Sequence, residues 1–153
     1  MHSLELKIPP LVVLVFVAAL MWFVSLTALA AGFHWPAGHA IALGLTAVGV
    51  GTAVAGVVSF RIVKTTVNPL KPEAASALVT NGIYQLTRNP MYLGALIVLL
   101  GWSVFLANAL TFIVAVTFVL YLNLFQIIPE EKALRTRFGP EFAAYCAKVR
   151  RWI

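Results

Sequence analysis

The 153-residue sequence contains no aspartate, only five glutamates and three histidines, and a single cysteine. Charged residues make up 10% of the chain, whereas soluble domains carry about 25%. The lone cysteine, Cys146, excludes an internal disulfide, and the few acids and histidines show no spacing typical of a metal site. Because 61% of the residues are hydrophobic, a disordered chain and an ordinary water-soluble globule are also excluded.

What the sequence does contain is two long stretches without a charged residue, Ile8–Phe60 and Asn89–Pro129. The second has 41 residues, and one helix of that length would be roughly 60 Å long, about twice the thickness of a bilayer's hydrocarbon core. Each stretch must therefore fold back on itself, the first at the glycine, proline and aromatic residues of Gly32–His39 and the second, more weakly, at Ala107–Ala109. We predict an all-α integral membrane bundle with four transmembrane helices, at residues 8–31, 40–60, 91–107 and 110–128.

The eleven lysines and arginines lie before the first predicted helix, between the second and third, and after the fourth. By the positive-inside rule, both termini and the central loop are cytoplasmic. We therefore predict one membrane domain with an N-terminal hairpin (1–60), a cytoplasmic connector (61–90), a second hairpin (91–128) and a cytoplasmic tail (129–153). Within the connector, residues 68–72 form a turn-rich segment.

The first helix has an alternative interpretation as a cleaved signal peptide, because Ala28–Ala30 resembles a signal-peptidase site. The apolar run before and through this site is long for a signal peptide, and Glu5 balances the charge of Lys7. We therefore expect the helix to be retained. In the second helix, Ala47, Gly51 and Ala55 recur at a spacing of four, with Gly44, Gly49 and Gly56 nearby, which predicts close packing against another helix.

The first cytoplasmic motif runs from Thr80 to Gly94 and reads TNGIYQLTRNPMYLG. Its Asn-Gly pair predicts a turn, and Asn89-Pro90 suits an N-cap followed by the first residue of a helix. Capping does not explain why Tyr84, Arg88 and Tyr92 lie so close to the same membrane entrance. Their order is what suggests a binding site.

The second motif begins with Pro129-Glu130-Glu131, where proline and acids suit a helix start. Downstream, Gly139-Pro140 separates two short amphipathic helices, and the apolar residues of the second are Phe142, Tyr145, Val149 and Trp152. A basic tail lying on anionic lipid would account for this pattern, but would not require an acidic pair where it begins.

Several chemistries find no support in the sequence. The cytoplasmic part has no glycine-rich phosphate loop and, apart from His2 near the N-terminus, no histidine to activate a serine or cysteine nucleophile. The basic residues lie at a membrane boundary, so we expect neither nucleic acid nor a metal as partner. What remains is a site of arginine, glutamate, tyrosine and backbone groups that opens toward both the cytosol and the bilayer.

Together, NGIYQLTRNPMYLG and, after a transmembrane hairpin, PEEKALRTRFGPEFAAYCAKVRRWI resemble the isoprenylcysteine carboxyl methyltransferase family. More broadly, they are similar to the membrane methyltransferases that include phospholipid N-methyltransferases. The resemblance covers about half of the chain, from Thr80 onward. It implies S-adenosylmethionine as the methyl donor, held between the start of the third helix and the glutamate pair.

The resemblance also assigns roles to individual positions. It implies that the donor is bound by Tyr84, Asn89, Pro90, Tyr92, Leu93, Gly94, Glu130, Glu131 and Tyr145. It implies catalytic roles for Arg88, Glu131 and Arg151. Phe138-Gly139 and Trp152 match the family's tail, whereas Asn89 stands where the family often has histidine.

The residues are chemically suited to such a reaction. Methyl transfer from a sulfonium requires in-line approach of an electron-rich acceptor, and positioning can supply much of the rate. A glutamate suits the donor's ammonium or ribose hydroxyls, the backbone N–H groups of residues 92–94 suit its carboxylate, and Arg88 or Arg151 suits an anionic acceptor. Because the cytoplasmic part has no histidine base, we favour as acceptor a carboxylate or an easily ionised thiol on a lipophilic molecule that enters between the helices.

Three other functions are consistent with the same residues. They are a phospholipid N-methyltransferase, an NADPH enzyme similar to sterol reductases, and a non-enzymatic scaffold that binds membrane lipids. We expect a cell membrane location, in a bacterial inner membrane because the chain is so compact.

Overall fold

The computed structural model describes residues 5–27, 32, 35–63 and 75–153. The elements are α1 (Pro10–Ser25), α2 (Gly38–Val63), a 3₁₀ helix (Gly82–Gln85), α3 (Pro90–Leu106), α4 (Ala109–Leu122), a π-helical turn (Asn123–Ile127) and α5 (Ile128–Lys148). An isolated β-bridge also joins Gly32 and Asn108. The predicted all-α architecture is confirmed. The turn-rich segment at 68–72 and the signal-peptidase-like residues 28–30 lie outside the described ranges.

The four apolar helices expose large hydrophobic side chains on their outer faces. Leu11 and Phe16 of α1, Leu43 of α2 and Ile113 of α4 are each about two-thirds exposed or more. Contiguous apolar surface on this scale is typical of a membrane interaction site, because soluble monomers rarely present it. α2 and the continuous helix formed by α4, the π-turn and α5 are long and apolar enough to span a bilayer. α1 and α3 are also apolar. α1 has 16 residues, just below the lower limit for a helix that spans a bilayer, and α3 has 17 residues, at that limit.

α1 is shorter than the predicted helix at residues 8–31, and local interactions determine where it begins and where it ends. Pro10 occupies the first turn, where a missing N–H costs nothing. At the other end, the hydroxyl groups of Ser25 and Thr27 donate to the carbonyls of Trp22 and Val24. Such side-chain bonds compete with continued helix, so α1 ends at Ser25.

The break between α3 and α4 lies where the sequence predicts it. Ala107 adopts the left-handed conformation, with φ 49° and ψ 42°, and ends α3. Asn108 then caps α4, because its side-chain oxygen accepts a hydrogen bond from the Leu110 N–H at 2.9 Å. The second hairpin is thus closed by a two-residue connection.

α4 continues through the π-turn into α5, although Pro129 was predicted to start a separate helix. A proline at this position cannot donate to the carbonyl four residues earlier, which belongs to Phe125. That carbonyl instead accepts a hydrogen bond of 3.0 Å from the Leu6 N–H. The proline therefore leaves the Phe125 carbonyl available, and this carbonyl binds the N-terminal segment to the end of the fourth helix.

Among the described residues, the core has two parts. The larger one joins α1, α3 and α4 around Met21, Leu99, Phe118 and Leu122, all at most 1% exposed. The smaller one consists of Phe142, Tyr145 and Val149, against which Leu78 of the connector and Leu134, Phe138 and Cys146 pack.

The predicted Gly-Pro interruption of the tail is confirmed, because Gly139 has φ 47° and ψ −119° within α5. The end of the tail differs from the prediction. α5 ends at Lys148, and Trp152 packs against the larger core instead of continuing an amphipathic helix.

α2 and α3 pack closely through glycines, but not through the predicted small-residue stripe. Ala47 and Gly51 are exposed, and a Cβ added at Gly51 would meet nothing within 4 Å. The contact is formed by Gly49, where an added Cβ would lie 2.6 Å from the Gly94 carbonyl oxygen, and by Gly56, where it would lie 2.8 Å from the Met91 side chain. The packing face of α2 therefore runs through Gly49, Ala53 and Gly56, at spacings of four and three residues, rather than through Ala47 and Gly51.

This packing predicts different effects for two alanine substitutions on one helix. Gly49→Ala should lower the free energy of unfolding by about 1–3 kcal/mol, since the new methyl group would overlap the α3 backbone. Gly51→Ala should leave it unchanged or raise it by up to about 1 kcal/mol, because alanine favours helix. Thermal unfolding in detergent, followed by circular dichroism, measures both. Equal effects of the two substitutions would contradict this packing.

Candidate active site

Three of the predicted site residues, from three separate segments, form one ion-pair cluster. Arg88 precedes α3, Glu131 lies in the first turn of α5, and Arg151 follows α5. Arg151 binds Glu131 through two hydrogen bonds, from Nε to Oε1 at 3.0 Å and from Nη2 to Oε2 at 2.7 Å. Arg88 Nη2 lies 3.3 Å from Glu131 Oε1. The side chains of Arg88 and Glu131 are only 15% and 18% exposed, so solvent screens their attraction less than at an open surface.

Backbone hydrogen bonds hold the same segments together. The Arg88 N–H donates to the Arg150 carbonyl at 3.0 Å, and the Thr87 hydroxyl donates to the Arg151 carbonyl at 3.2 Å. Asn89 occupies the N-cap position of α3, but its side chain does not cap the helix. Its Nδ2 donates instead to the Arg151 carbonyl at 2.9 Å. Through this hydrogen bond, Asn89 holds the C-terminal segment against the start of α3.

The start of α3 also lies where the sequence predicts it. Pro90 is the first residue of the helix and is buried, and the Leu93 N–H donates to the Asn89 carbonyl at 2.9 Å. Since the N–H of Leu93 is occupied, the first-turn donors left without an intrahelical partner are those of Met91 and Tyr92. Gly94 contacts the α2 backbone, so its lack of a side chain serves helix packing.

Tyr84 and Tyr145 contact each other beside the cluster. The Tyr145 hydroxyl donates to the Tyr84 carbonyl at 2.7 Å, and the Tyr84 ring packs edge-on against Phe60 of α2 at 5.5 Å. Burial raises the pKa of both phenols well above the usual value, so both stay neutral. Gly82, with φ 63°, makes the turn that leads into Tyr84.

Glu130 lies beside Glu131 in sequence but has different partners. Its Oε1 accepts hydrogen bonds from the Tyr92 hydroxyl at 2.8 Å and from Gln126 Nε2 at 3.1 Å. Burial raises the pKa of the Glu130 carboxyl to about 7, and the two hydrogen bonds only partly offset this effect.

Several residues that complete the site were not predicted from the sequence. Asn123 accepts hydrogen bonds from Arg151 Nη1 at 3.5 Å and from Trp152 Nε1 at 3.3 Å. Gln126, which binds Glu130, is 1% exposed. Asn123 and Gln126 are polar residues in an otherwise apolar segment, and such residues in membrane helices commonly mark function. Cys146 accepts a hydrogen bond from Arg88 Nη1, a contact that no sequence spacing indicates.

Comparison with known proteins identifies the family to which the chain belongs. A family model described as phospholipid methyltransferase matches residues 37–141. A protein of Haemophilus influenzae (strain ATCC 51907 / DSM 11121 / KW20 / Rd), named only as uncharacterized, is 44% identical over 63 residues, which are 41% of this chain and all of that protein. Two proteins of Oryza sativa, from subspecies indica and japonica, are each named "Probable protein-S-isoprenylcysteine O-methyltransferase" and are 45% identical over 73 residues. No solved structure matches.

The helical bundle and these matches group the chain with membrane methyltransferases. The matched region includes Arg88 and the glutamate pair but ends before Tyr145 and Arg151. The chain belongs to the phospholipid methyltransferase family. The aligned region is 47% of this chain and 38% of each rice protein, so the chain spans well under half the length of those relatives.

The geometry of the Arg151–Glu131 pair predicts that lysine cannot replace this arginine. Arg151→Lys removes the two-bond contact and should lower the free energy of unfolding by about 1–2 kcal/mol. The matched control is Arg150→Lys, since the neighbouring side chain is exposed, and it should change stability by less than about 0.5 kcal/mol. Thermal unfolding of the two variants in the same detergent makes the comparison. A loss of equal size in both would show that the ion pair adds nothing.

Proposed function

We propose that the protein transfers a methyl group from S-adenosylmethionine to a small lipophilic acceptor at the cytoplasmic face of the membrane. The observation that carries the proposal is the convergence of Arg88, Glu131 and Arg151 beside the start of α3. Structural ion pairing alone does not require the second glutamate and the tyrosine of α3 beside it. Family membership supports methyl transfer as the reaction.

One feature of Arg88 fits the binding of S-adenosylmethionine. The buried Nε of Arg88 has no hydrogen-bond partner in the described part of the chain. Such an orphaned donor is costly unless a ligand accepts its hydrogen bond. Arg88 immediately precedes the N-terminus of α3, and the helix dipole there would favour an anion such as the donor's carboxylate.

When bound, S-adenosylmethionine supplies an electrophilic methyl group on a sulfonium. The chain's part is to bind, orient and exclude water. The Arg88 guanidinium and the start of α3 would hold the amino-acid carboxylate of the donor, and Tyr84 and Tyr145 would line the site as neutral aromatic groups. Glu131 keeps both arginines in place through its ion pairs, and these oriented charges need no rearrangement during the reaction.

Orientation and acceptor form part of the same proposal. The positive-inside distribution supports cytoplasmic termini and a cytoplasmic site. The exposed apolar faces of α1 to α4 support an acceptor with a hydrocarbon tail that reaches the site from the bilayer. A bacterial inner membrane is the setting we propose.

Donor binding tests the proposal directly. The purified protein should bind S-adenosylmethionine and S-adenosylhomocysteine in the micromolar range, a range typical of enzyme substrates. Glu131→Ala and Arg88→Ala should each weaken binding by about tenfold or more, because each removes a charge from the cluster. Glu141→Ala and Arg135→Ala are the matched controls at exposed positions of α5. Isothermal titration calorimetry in detergent gives the affinities.

The alternatives predict other outcomes. Folded protein that shows a thermal shift with NADPH but none with S-adenosylhomocysteine would favour the reductase. A protein that responds to neither ligand and tolerates all four substitutions would be a lipid-binding scaffold. Incubation with radiolabelled donor and a membrane lipid extract, followed by identification of the labelled product, identifies the acceptor.

A further inference from the structure

The two adjacent glutamates of α5 offer different chemistry. Both oxygens of Glu131 are occupied by guanidinium groups. Glu130 receives both of its hydrogen bonds, from Tyr92 and Gln126, on Oε1. Its Oε2 has no hydrogen-bond partner in the part of the chain that the structure describes. A carboxylate held by one oxygen keeps the other available to a ligand.

The partners of Glu130 are neutral, and this distinguishes it from Glu131. The ionisable groups that face it are Tyr92 of α3, Tyr84 of the 3₁₀ helix and Glu131 of its own helix. Arg88 and Arg151 pair with Glu131, and within the described ranges Glu130 forms no ion pair. Without a cationic partner, a partly buried carboxylate takes up a proton more readily than one in an ion pair.

We propose that Glu130 is the proton acceptor of the reaction and takes, through Oε2, the proton that the methyl acceptor must lose. This rests on the proposed methyltransferase function and deepens it. The methyl acceptors are then nucleophiles that carry a proton before reaction, which are ammonium or thiol groups on a lipophilic molecule. The lack of a histidine base near the two motifs favoured a carboxylate as acceptor, and Glu130 removes that reason because it can serve as the base itself.

The proposed step balances in atoms and charge. The acceptor loses its proton to Oε2, and the lone pair that is left forms a bond to the methyl carbon. The bond from that carbon to the sulfonium sulfur breaks, and its electron pair returns to sulfur as a neutral thioether. Glu130 is then a neutral carboxylic acid, and it returns the proton to water before the next turnover. A group with a pKa of about 7 can do both at neutral pH.

The protonation of Glu130 can be measured without any substrate. With ¹³C-labelled glutamate side chains, NMR in detergent should show a carboxyl that titrates near pH 7 and is absent in Glu130→Gln. Tyr92→Phe should move this titration to higher pH, because the tyrosine hydrogen bond stabilises the charged form. The matched control is Glu141→Gln, at an exposed position of the same helix. If every carboxyl titrates below about pH 5, the usual range for glutamate, the proposal is overturned.

Activity supplies the second measurement, with dodecylamine, dodecanethiol and dodecanoic acid as probe acceptors of matched chain length. For the amine or the thiol, the rate should rise with pH and level off above about pH 7. Glu130→Gln should lower it about 10²-fold or more, the usual contribution of a general base. The glutamine variant has the shape and charge of the protonated carboxyl, so we expect it to fold. Since the resemblance places Glu130 among the donor-binding residues, the variant's affinity for S-adenosylhomocysteine is measured in parallel and the rates are compared at saturating donor.

The outcomes separate this proposal from the proposed function. Loss of S-adenosylhomocysteine binding in Glu130→Gln would assign Glu130 to the donor and overturn its role as proton acceptor. Methylation of dodecanoic acid alone, at a rate that Glu130→Gln does not change, would also overturn it. Both results would leave the methyltransferase function intact. Absence of donor binding by the parent protein would instead refute that function.

Discussion

The carboxylate of Glu131 holds two guanidinium groups that come from distant parts of the chain. Arg88 reaches it from the loop before α3, and Arg151 from the segment after α5. At the boundary of an apolar bundle these charges would be costly if separated, because removing one partner leaves the other poorly solvated. The hydrogen bonds of Thr87 and Asn89 to the Arg151 carbonyl add neutral contacts at the same junction. The C-terminal segment, residues 149–153, is thereby fixed against the membrane helices rather than left on the lipid surface.

This junction is precise because the start of α3 is held from two directions. On one side, Gly94 lets α3 approach the backbone of α2 at Gly49, a contact that any side chain would prevent. On the other side, the C-terminal segment binds residues 87–89, immediately before the helix. A site built on such a helix end has little freedom to move. That rigidity suits a reaction whose rate depends on the alignment of two reactants.

The sequence predicts this architecture well where a local cause determines it. The break at Ala107–Asn108, the turn at Gly82 and the kink at Gly139 each follow from one or two residues, and each lies where expected. The packing face of α2 could not be predicted in the same way. Gly49 and Gly51 are equally small, and only the position of α3 determines which one is buried. The partner of Asn89 was also beyond prediction, because the Arg151 carbonyl lies 62 residues away in the chain.

The glutamate pair shows how tertiary contacts give two adjacent residues of one motif different partners. Neighbouring residues on an α-helix point about 100° apart, so two adjacent glutamates cannot face the same partners. Glu131 is directed toward the arginines, whereas Glu130 is directed toward Tyr92 and Gln126. Glu131 forms ion pairs with both arginines and thereby orients them. Glu130 is partly buried with neutral donors, and desolvation raises the pKa of its carboxyl. The pair therefore combines an ion-paired carboxylate with one that has neutral partners, and a site can offer a candidate base although the sequence around it contains no histidine.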